Sequence, residues 1–150
     1  MKKCIKTNIG YITMEEENGF IVRVSFGKED SDGDNLTLSL CEQQLLEYLD
    51  GKRRKFNVPI SFDGTPFQKT CWNELLKIEY GRTVSYLDIA QAINNPKAAR
   101  AVGQAIHNNP IAILVPCHRV IGKNKKLVGY AYGLIMKQKL LKIERGALCL

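Results

Sequence analysis

The sequence predicts an α+β protein in which a small N-terminal domain, built on an antiparallel sheet, precedes a mostly helical C-terminal domain. Polar and apolar residues alternate over residues 3–26, as in strands that bury one face. Apolar residues between 65 and 107 recur instead at helical spacing. Charge divides at the same place: residues 1–63 hold nine Lys or Arg and eleven Asp or Glu, whereas residues 64–150 hold thirteen and four. We therefore predict two domains, 1–63 and 64–150.

The N-terminal domain begins with two or three antiparallel strands. Gly10 and Asn18-Gly19 are the turn signals between them. Residues 15–17 are three consecutive glutamates and are predicted to form a solvated hairpin end. Residues 36–40 alternate in polarity and are predicted as a further strand, whereas the leucines of residues 41–49 have helical spacing. This domain is expected to pack against the second domain and support it.

The C-terminal domain opens with a helix whose two ends are marked in the sequence. Thr65 is a suitable N-cap, and Pro66 suits the first helical position. The apolar face of this helix continues to Tyr80-Gly81, which we predict as the stop. Trp72 lies on that face and is predicted to be a core residue.

Two short helices follow and have the outline of a helix-turn-helix. Ser85 is predicted to cap a helix over residues 86–93, and a second helix is predicted over residues 97–107. Small residues dominate the second helix, so its backbone can approach a surface closely, and Arg100 is a long side chain able to reach a base stack. We predict a winged-helix-like element that binds DNA through Arg100, Ala99, Ala101 and Gly103. The alternative is a helix pair that serves only packing.

Composition narrows the class of protein. The net charge is +7, and the excess of positive charge lies in the second domain, which favours a polyanionic partner. A charge that serves only solubility is the alternative. The alternating start predicts neither a signal peptide nor a membrane span. Five cysteines at wide, irregular spacing show no disulfide framework. We expect a cytoplasmic protein, or a nuclear one in a eukaryote, with reduced thiols.

A thiol beside a histidine suggests the chemistry. Cys117 and His118 follow the apolar run of residues 111–115, and Arg119 comes next. A nucleophilic cysteine requires a base or a positive field, because a free thiol is mostly protonated at neutral pH. His118 and Arg119 can supply both. The alternative is a buried cysteine that acts as a small hydrophobe.

Residues 65–144 resemble the O6-alkylguanine-DNA alkyltransferases, also called methylated-DNA-protein-cysteine methyltransferases. The resemblance covers over half of the chain, and its motifs occur in the family's order. They are Thr65-Pro66-Phe67-Gln68, Tyr80-Gly81, Thr83-Val84-Ser85-Tyr86, Arg100-Ala101-Val102-Gly103, Asn109-Pro110-Ile111, Pro116-Cys117-His118-Arg119-Val120-Ile121, Gly129-Tyr130, and Leu140-Leu141 with Glu144.

The resemblance implies a role for each catalytic residue. Cys117 attacks the alkyl carbon, His118 acts as base towards the thiol through an ordered water, and Glu144 orients the imidazole. Tyr86 gives a proton or a hydrogen bond to the departing guanine. Asn109 braces the active-site turn.

The resemblance also implies how DNA is handled. Arg100 fills the space left by a base that is flipped into the pocket. Tyr130, Ala131, Tyr132 and Val120 are expected to surround the pocket. Many family members have a small residue at the position of Tyr132, so its ring predicts a narrow pocket that prefers methyl over benzyl-sized groups. Lys123, Lys125 and Lys126 lie in the next loop and contact phosphate or are simply solvated.

The implied activity is single-use DNA repair, in which O6-methylguanine, and less readily O4-methylthymine, loses its alkyl group irreversibly to Cys117. We predict no metal and no organic cofactor, since the first domain has only Cys4 and Cys41 and no histidine. The expected partner is duplex DNA containing O6-alkylguanine, bound by a monomer with no membrane. A damage sensor that binds without reacting is one alternative, and a cysteine hydrolase is the other.

Overall fold

The first domain is a three-stranded antiparallel sheet covered by one helix, as the computed structural model of residues 1–122 and 129–148 shows. The strands are β1 (Lys2–Thr7), β2 (Gly10–Glu17) and β3 (Phe20–Phe26), in the order β1-β2-β3. The β2–β3 turn is made by Asn18 and Gly19, with φ of 53° and 85°. An Asn-Gly pair adopts such left-handed angles easily, which is why it sets a tight hairpin here. The predicted antiparallel strands are confirmed.

The prediction of a solvated hairpin end is wrong for Glu16. A register shift between Glu15 and Glu16 turns the Glu16 side chain inwards, where it is only 9% exposed. Its carboxylate accepts hydrogen bonds from the Gly19 backbone and from the Asn35 side chain. Glu16 therefore joins the hairpin to the start of the following helix.

The prediction of a strand over residues 36–40 is also wrong, because helix α1 spans Leu36–Leu49. The Asn35 side chain accepts a hydrogen bond of 2.9 Å from the Leu38 backbone and so caps the helix. Alternation over five residues fits a helix turn as well as a strand, and this cap decides between them. The buried residues of α1 recur at helical spacing along one face: Leu38, Cys41, Gln44, Leu45, Tyr48 and Leu49.

The second domain is mostly helical, as predicted. Its elements are α2 (Pro66–Leu75), β4 (Val84–Ser85), α3 (Tyr86–Ala92), α4 (Ala99–His107), a single 3-10 turn (Cys117–Arg119), β5 (Val120–Ile121) and α5 (Leu134–Leu148). β4 and β5 pair in parallel.

The predicted caps and the helix pair of the second domain are confirmed. Thr65 caps α2 through a capping box with Gln68, and Ser85 caps α3 in the same way. The regular part of α2 ends at Leu75, five residues before the predicted stop. Trp72 is 2% exposed and donates a hydrogen bond of 2.8 Å to the Ala105 carbonyl, which ties α2 to α4.

The two domains share one hydrophobic core and a backbone junction. The open edge of β3 bonds to the second domain at Val24, whose N–H donates to the Pro110 carbonyl and whose carbonyl accepts from the Ala112 N–H, both at 3.0 Å. The segment that leads to Cys117 is thereby attached to the first domain. In the described part of the chain, no helix is long and apolar enough to cross a membrane.

Candidate active site

The turn before Cys117 is held by one buried amide side chain. Asn109 accepts a hydrogen bond of 3.0 Å from the Ile111 N–H and donates to the carbonyls of Ile111 and Val115 at 3.3 and 2.9 Å. Inside this turn Ile113 has a φ of +70°, a left-handed conformation that is unfavourable for a β-branched residue. The bonds of Asn109 offset that strain and fix the direction in which the chain enters the 3-10 turn.

Cys117 begins the 3-10 turn and is 5% exposed. Burial raises the pKa of its thiol, whereas the side chains of Asn109 and Tyr130 and the charge of Lys137 act to lower it. The Tyr130 hydroxyl is buried and makes no hydrogen bond of normal geometry with the described residues. The resting form of Cys117 is the protonated thiol.

His118 is completely buried and paired with Glu144, its Nε2 lying 2.6 Å from Oε2 of the carboxylate. Burial lowers the pKa of His118, and the charges of Arg119 and Lys137 lower it further, against the opposing effect of Glu144. The neutral imidazole therefore carries its proton on Nε2, towards the carboxylate. Nδ1 is then a bare acceptor, and none of the described residues gives it a hydrogen bond.

Glu144, on α5, is the centre of what we call the carboxylate network: Glu144 with the groups of His118, Arg119, Tyr48 and Gly81 that bond to it. Arg119 Nε donates to Oε1 and Oε2 at 2.9 and 3.2 Å, and another of its guanidinium nitrogens donates to Oε2 at 3.1 Å. Tyr48 donates to Oε2 at 2.6 Å, and the Gly81 N–H donates to Oε1 at 2.9 Å.

The carboxylate stays charged because of these partners. Burial would raise the pKa of Glu144, but the hydrogen bonds from His118 and Arg119 and the charge of Arg119 outweigh it and lower the pKa to about 2. Since His118 is neutral at rest, Arg119 supplies the permanent balancing charge. Arg119 also donates to the Ile78 carbonyl at 2.7 Å, so its guanidinium is held from two sides.

The sequence did not predict Lys137 or Tyr48 as site residues, and it did not predict that Arg119 holds Glu144 by hydrogen bonds. Lys137 is fully buried, donates a hydrogen bond of 3.0 Å to the Gly129 carbonyl, and lies near enough to Cys117 for the two to interact electrostatically. Burial lowers the pKa of its ammonium to about 8. A signal for Lys137 was present in the sequence, because it shares one helical face with Leu140, Leu141 and Glu144. A lysine on a largely apolar face indicates a buried cation. No comparable pattern marked Tyr48.

A small cavity of about 50 Å³ opens onto Cys117. The Tyr86 hydroxyl at its wall lies 3.4 Å from the Gly129 carbonyl, to which it donates. Its lining residues are Tyr86, Gly103, Ile106, His107, Cys117, Gly129, Tyr130 and Ala131. A larger cleft of about 660 Å³ lies elsewhere, and Cys117 does not line it.

Two of the predicted pocket residues lie behind the cavity wall. Val120 is fully buried in β5, where it pairs with Val84. Tyr132 packs edge-on against Tyr130, with ring centroids 5.7 Å apart, and against Phe26 of β3 at 4.9 Å. Tyr132 thus presses the Tyr130 ring from the side of the first domain and does not itself line the cavity.

The outer face of the helix pair carries the other predicted residues. A shallow depression of about 300 Å³ is bounded by Ser85, Tyr86, Leu87, Ala99, Arg100 and Gly103, which we call the outer helix surface. Arg100 and Ala101 are exposed. Tyr86 lines both this surface and the cavity at Cys117, so one ring separates the two. Lys123, Lys125 and Lys126, together with any wing formed by residues 123–128, lie outside the described residues.

Comparison with known proteins identifies the family. Residues 66–146 match the DNA-binding domain of 6-O-methylguanine DNA methyltransferase, and residues 1–62 match the ribonuclease-like domain of the same family. The constitutive methylated-DNA–protein-cysteine methyltransferase of Bacillus subtilis is 43% identical over an alignment that covers 93% of this chain and 92% of that protein. The inducible enzyme of the same organism is 55% identical over 104 residues, but the match spans only 58% of its length.

Solved structures agree with the sequence matches. OGT of Mycobacterium tuberculosis in complex with DNA superposes with a TM-score of 0.90 at 39% identity, covering 97% of this chain and 93% of that one. An O6-methylguanine DNA methyltransferase from Methanococcus jannaschii superposes with a TM-score of 0.70 at 28% identity, covering 95% and 93%. The likeness extends over both domains.

Proposed function

The chain belongs to the 6-O-methylguanine DNA methyltransferase family, and we propose that it repairs DNA by moving a methyl group from the O6 atom of guanine to its own Cys117. O4-methylthymine is the less favoured substrate. The observation that carries the proposal is the placement of Cys117 between a small cavity and the His118–Glu144 pair. The names of relatives similar over nearly the whole chain support it.

The nucleophile is activated by proton transfer to His118. Its bare Nδ1 accepts the Cys117 proton, through a water as in the base-assisted cysteine enzymes, while Nε2–H keeps its hydrogen bond to Glu144. The imidazolium that forms is balanced by the carboxylate, and the thiolate by Lys137. Each charge appears beside an opposite charge already in place, so little reorganisation is needed.

Transfer is a displacement at the methyl carbon. The thiolate forms an S–C bond as the C–O6 bond breaks, and the electron pair of that bond stays with the guanine. Tyr86 donates a proton or a hydrogen bond to the departing base, which leaves as ordinary guanine. The guanine gains a proton at N1, and the proton that His118 took from the thiol replaces it through solvent, so His118 and Tyr86 both end neutral. The products are S-methylcysteine and repaired DNA.

The base must leave the duplex to reach Cys117. The α3–α4 pair binds DNA, and Arg100 enters the stack as the base rotates past Tyr86 into the cavity. Extrusion costs a few kcal/mol and is easier at a damaged pair. Because α4 is built from small residues, its backbone approaches the groove closely. The basic second domain makes binding salt-sensitive.

The reaction occurs once per molecule. Water does not readily cleave a thioether, because a thiolate is a poor leaving group from saturated carbon. The protein is thus a stoichiometric acceptor that needs no cofactor. We propose that it works in the cytoplasm as a monomer, that residues 64–150 hold the chemistry, and that residues 1–63 support them.

Intact mass after incubation with a duplex that holds one O6-methylguanine tests the proposal. We expect a gain of about 14 Da, one methyl, saturating at one per chain and located on Cys117. Cys117→Ala should gain nothing, whereas Cys4→Ala, which removes a more exposed thiol, should gain one methyl like the wild type. Tight binding without a mass gain would indicate a damage sensor, and repeated turnover of an acyl substrate would indicate a hydrolase.

A further inference from the structure

Tyr48, a residue of the first domain, holds Glu144 in the carboxylate network. We propose that Tyr48 is a positioning residue for methyl transfer, one that adjusts how strongly Glu144 pulls on the imidazole of His118. The inference rests on the proposed function, since it concerns the activation of Cys117. It makes the first domain a part of the reaction centre rather than a support alone.

The geometry places three groups around one oxygen. Tyr48 lies on α1, is 0% exposed, and donates to Glu144 Oε2 at 2.6 Å. His118 Nε2 lies 2.6 Å from the same oxygen and 3.3 Å from the Tyr48 hydroxyl. Two guanidinium nitrogens of Arg119 donate to the same oxygen at 3.1 and 3.2 Å. Hydrogen bonds to a buried carboxylate are short and strong, so this oxygen is shared among a phenol, an imidazole and a guanidinium. The oxygen cannot bond more strongly to one of them without bonding more weakly to the others.

The phenol is fixed before any reaction begins. Its ring packs against Phe56, with centroids 5.5 Å apart, and against Tyr80 at 6.1 Å. Helix α1 is itself packed on the sheet through Leu38, Cys41 and Leu45. A donor held in this way loses little freedom when it bonds, so its contribution to the site is preorganised.

The direction of the effect follows from the shared oxygen. Donation by Tyr48 withdraws electron density from Oε2 and weakens its attraction for the His118 proton. Without the hydroxyl, Glu144 would hold that proton more tightly, and the imidazolium form would persist to higher pH. The other charged or titratable groups that face this cluster are Arg119, Lys137, Tyr80 and Tyr130, and all four remain in place when only position 48 is changed.

The test compares Tyr48→Phe with Tyr80→Phe. Both variants lose a buried tyrosine hydroxyl from neighbouring rings, but the Tyr80 hydroxyl has no hydrogen-bond partner among the described residues. Single-turnover methyl transfer is measured from pH about 5 to about 9. We expect Tyr48→Phe to be slower by about tenfold, with its acid limb moved to higher pH, because it loses a hydrogen bond to a charged group. Tyr80→Phe should stay within about twofold of the wild type.

A second substitution works in the opposite direction and keeps the fold. Placing 3-fluorotyrosine at position 48 leaves the ring and hydroxyl in place but makes the hydroxyl a stronger donor, so the acid limb should move to lower pH. His118 can be followed directly by NMR, because the chain has only two histidines and the other, His107, is exposed. Its titration should move with the acid limb.

The outcomes separate the two proposals. A wild type that gains no methyl overturns the proposed function. A wild type that reacts, with Tyr48→Phe indistinguishable from Tyr80→Phe, overturns the inference alone. A slower Tyr48→Phe whose acid limb and His118 titration are unchanged would assign Tyr48 a packing role only and would also overturn it. If Tyr48→Phe does not fold, the fluorotyrosine protein decides: an acid limb that does not move in it would overturn the inference.

Discussion

Behind Cys117 lies the carboxylate network, and in front of it lies the small cavity that leads to the outer helix surface. In the network the groups are buried and bonded to one another: Arg119 alone makes three hydrogen bonds to Glu144 and one to the Ile78 carbonyl. On the outer helix surface all the side chains except Tyr86 are small or exposed, as Ala99 and Arg100 are.

The difference indicates which property each side controls. Removal of one partner from a buried network leaves an unbalanced charge, so the free energy of unfolding should fall together with activity. Removal of an exposed side chain leaves the fold intact, so only the interaction with DNA should change. Stability and reactivity are therefore coupled behind Cys117 and separable in front of it.

The largest effect on stability should come from Arg119→Met. This substitution keeps much of the side-chain volume but leaves Glu144 without its permanent counter-charge, so we expect a loss of about 3–5 kcal/mol in the free energy of unfolding. Urea unfolding at neutral pH measures it. Arg82→Met is the matched control, because Arg82 pairs with Glu79 on the surface and both side chains are about three-quarters exposed. That loss should be below about 1 kcal/mol, and equal losses would contradict the comparison.

Acid should destabilise the protein through the same carboxylate. The folded-state pKa of Glu144 is about 2, below its ordinary value of 4.5, so its contribution is complete above the unfolded value and is lost as pH falls from about 4.5 to about 2. The shift corresponds to about 3 kcal/mol. Glu144→Gln should remove this part of the pH dependence, which urea unfolding over the acid range measures.

Salt distinguishes this buried carboxylate from an exposed one. Hydrogen bonds from Arg23 and then Lys2 lower the pKa of Glu29 to about 2 as well, but Glu29 lies at the surface. High salt should suppress the contribution of Glu29 and leave that of Glu144 nearly unchanged. An acid transition that disappears in high salt would show that surface pairs, not the carboxylate network, control acid unfolding.

How much the sequence could predict differs between these two sides. Cys117, His118 and Arg100 are marked by local motifs, because a nucleophile beside a base and a long side chain on a small-residue helix are visible within a few residues. Thr65 and Ser85 were likewise predicted correctly as caps from their own neighbourhoods. Features that depend on local spacing are therefore visible in the amino-acid sequence itself.

Features that depend on contacts between distant segments are not visible there. Tyr48 and Glu144 are 96 residues apart, and nothing near Tyr48 distinguishes it from any other tyrosine on a helix. Tyr132 was expected to line the pocket, but whether its ring faces the cavity or lies behind Tyr130 depends on Phe26 in another domain. The prediction of a strand over residues 36–40 was wrong for a related reason. The helix that forms there is capped by the Asn35 side chain, and the polarity pattern does not show how that side chain is oriented.

On the outer helix surface, Arg100→Ala should separate activity from stability. We expect methyl transfer from duplex DNA to slow by about 100-fold. Base extrusion costs a few kcal/mol, and in this variant the Arg100 side chain no longer fills the space that the base leaves in the stack. Unfolding should change by less than about 0.5 kcal/mol because the residue is exposed. Transfer from free O6-methylguanine should be unaffected. Lys97→Ala, in the exposed turn just before α4, should mainly reduce the salt dependence of binding. Equal slowing with the free base would mean that Arg100 acts on the chemistry.

The smallest effect concerns the cavity wall and the preference for methyl. The cavity of about 50 Å³ is small beside the roughly 150 Å³ that accommodates benzene in a protein interior, so a benzylguanine probe should label Cys117 slowly. Tyr132→Gly removes the ring that supports Tyr130 and should speed benzyl labelling by about tenfold, with methyl transfer nearly unchanged.

Phe26→Ala tests how Tyr132 acts. Because Phe26 contacts Tyr132 from β3 and belongs to the other domain, this variant should also speed benzyl labelling, though less, if the wall is held by the stack of three rings. Fast labelling of the wild type would show instead that the Tyr130 ring moves aside even when Tyr132 and Phe26 are present. The substrate preference of the second domain would then be independent of the first, and the wall in front of Cys117 would differ from the network behind it in this respect too.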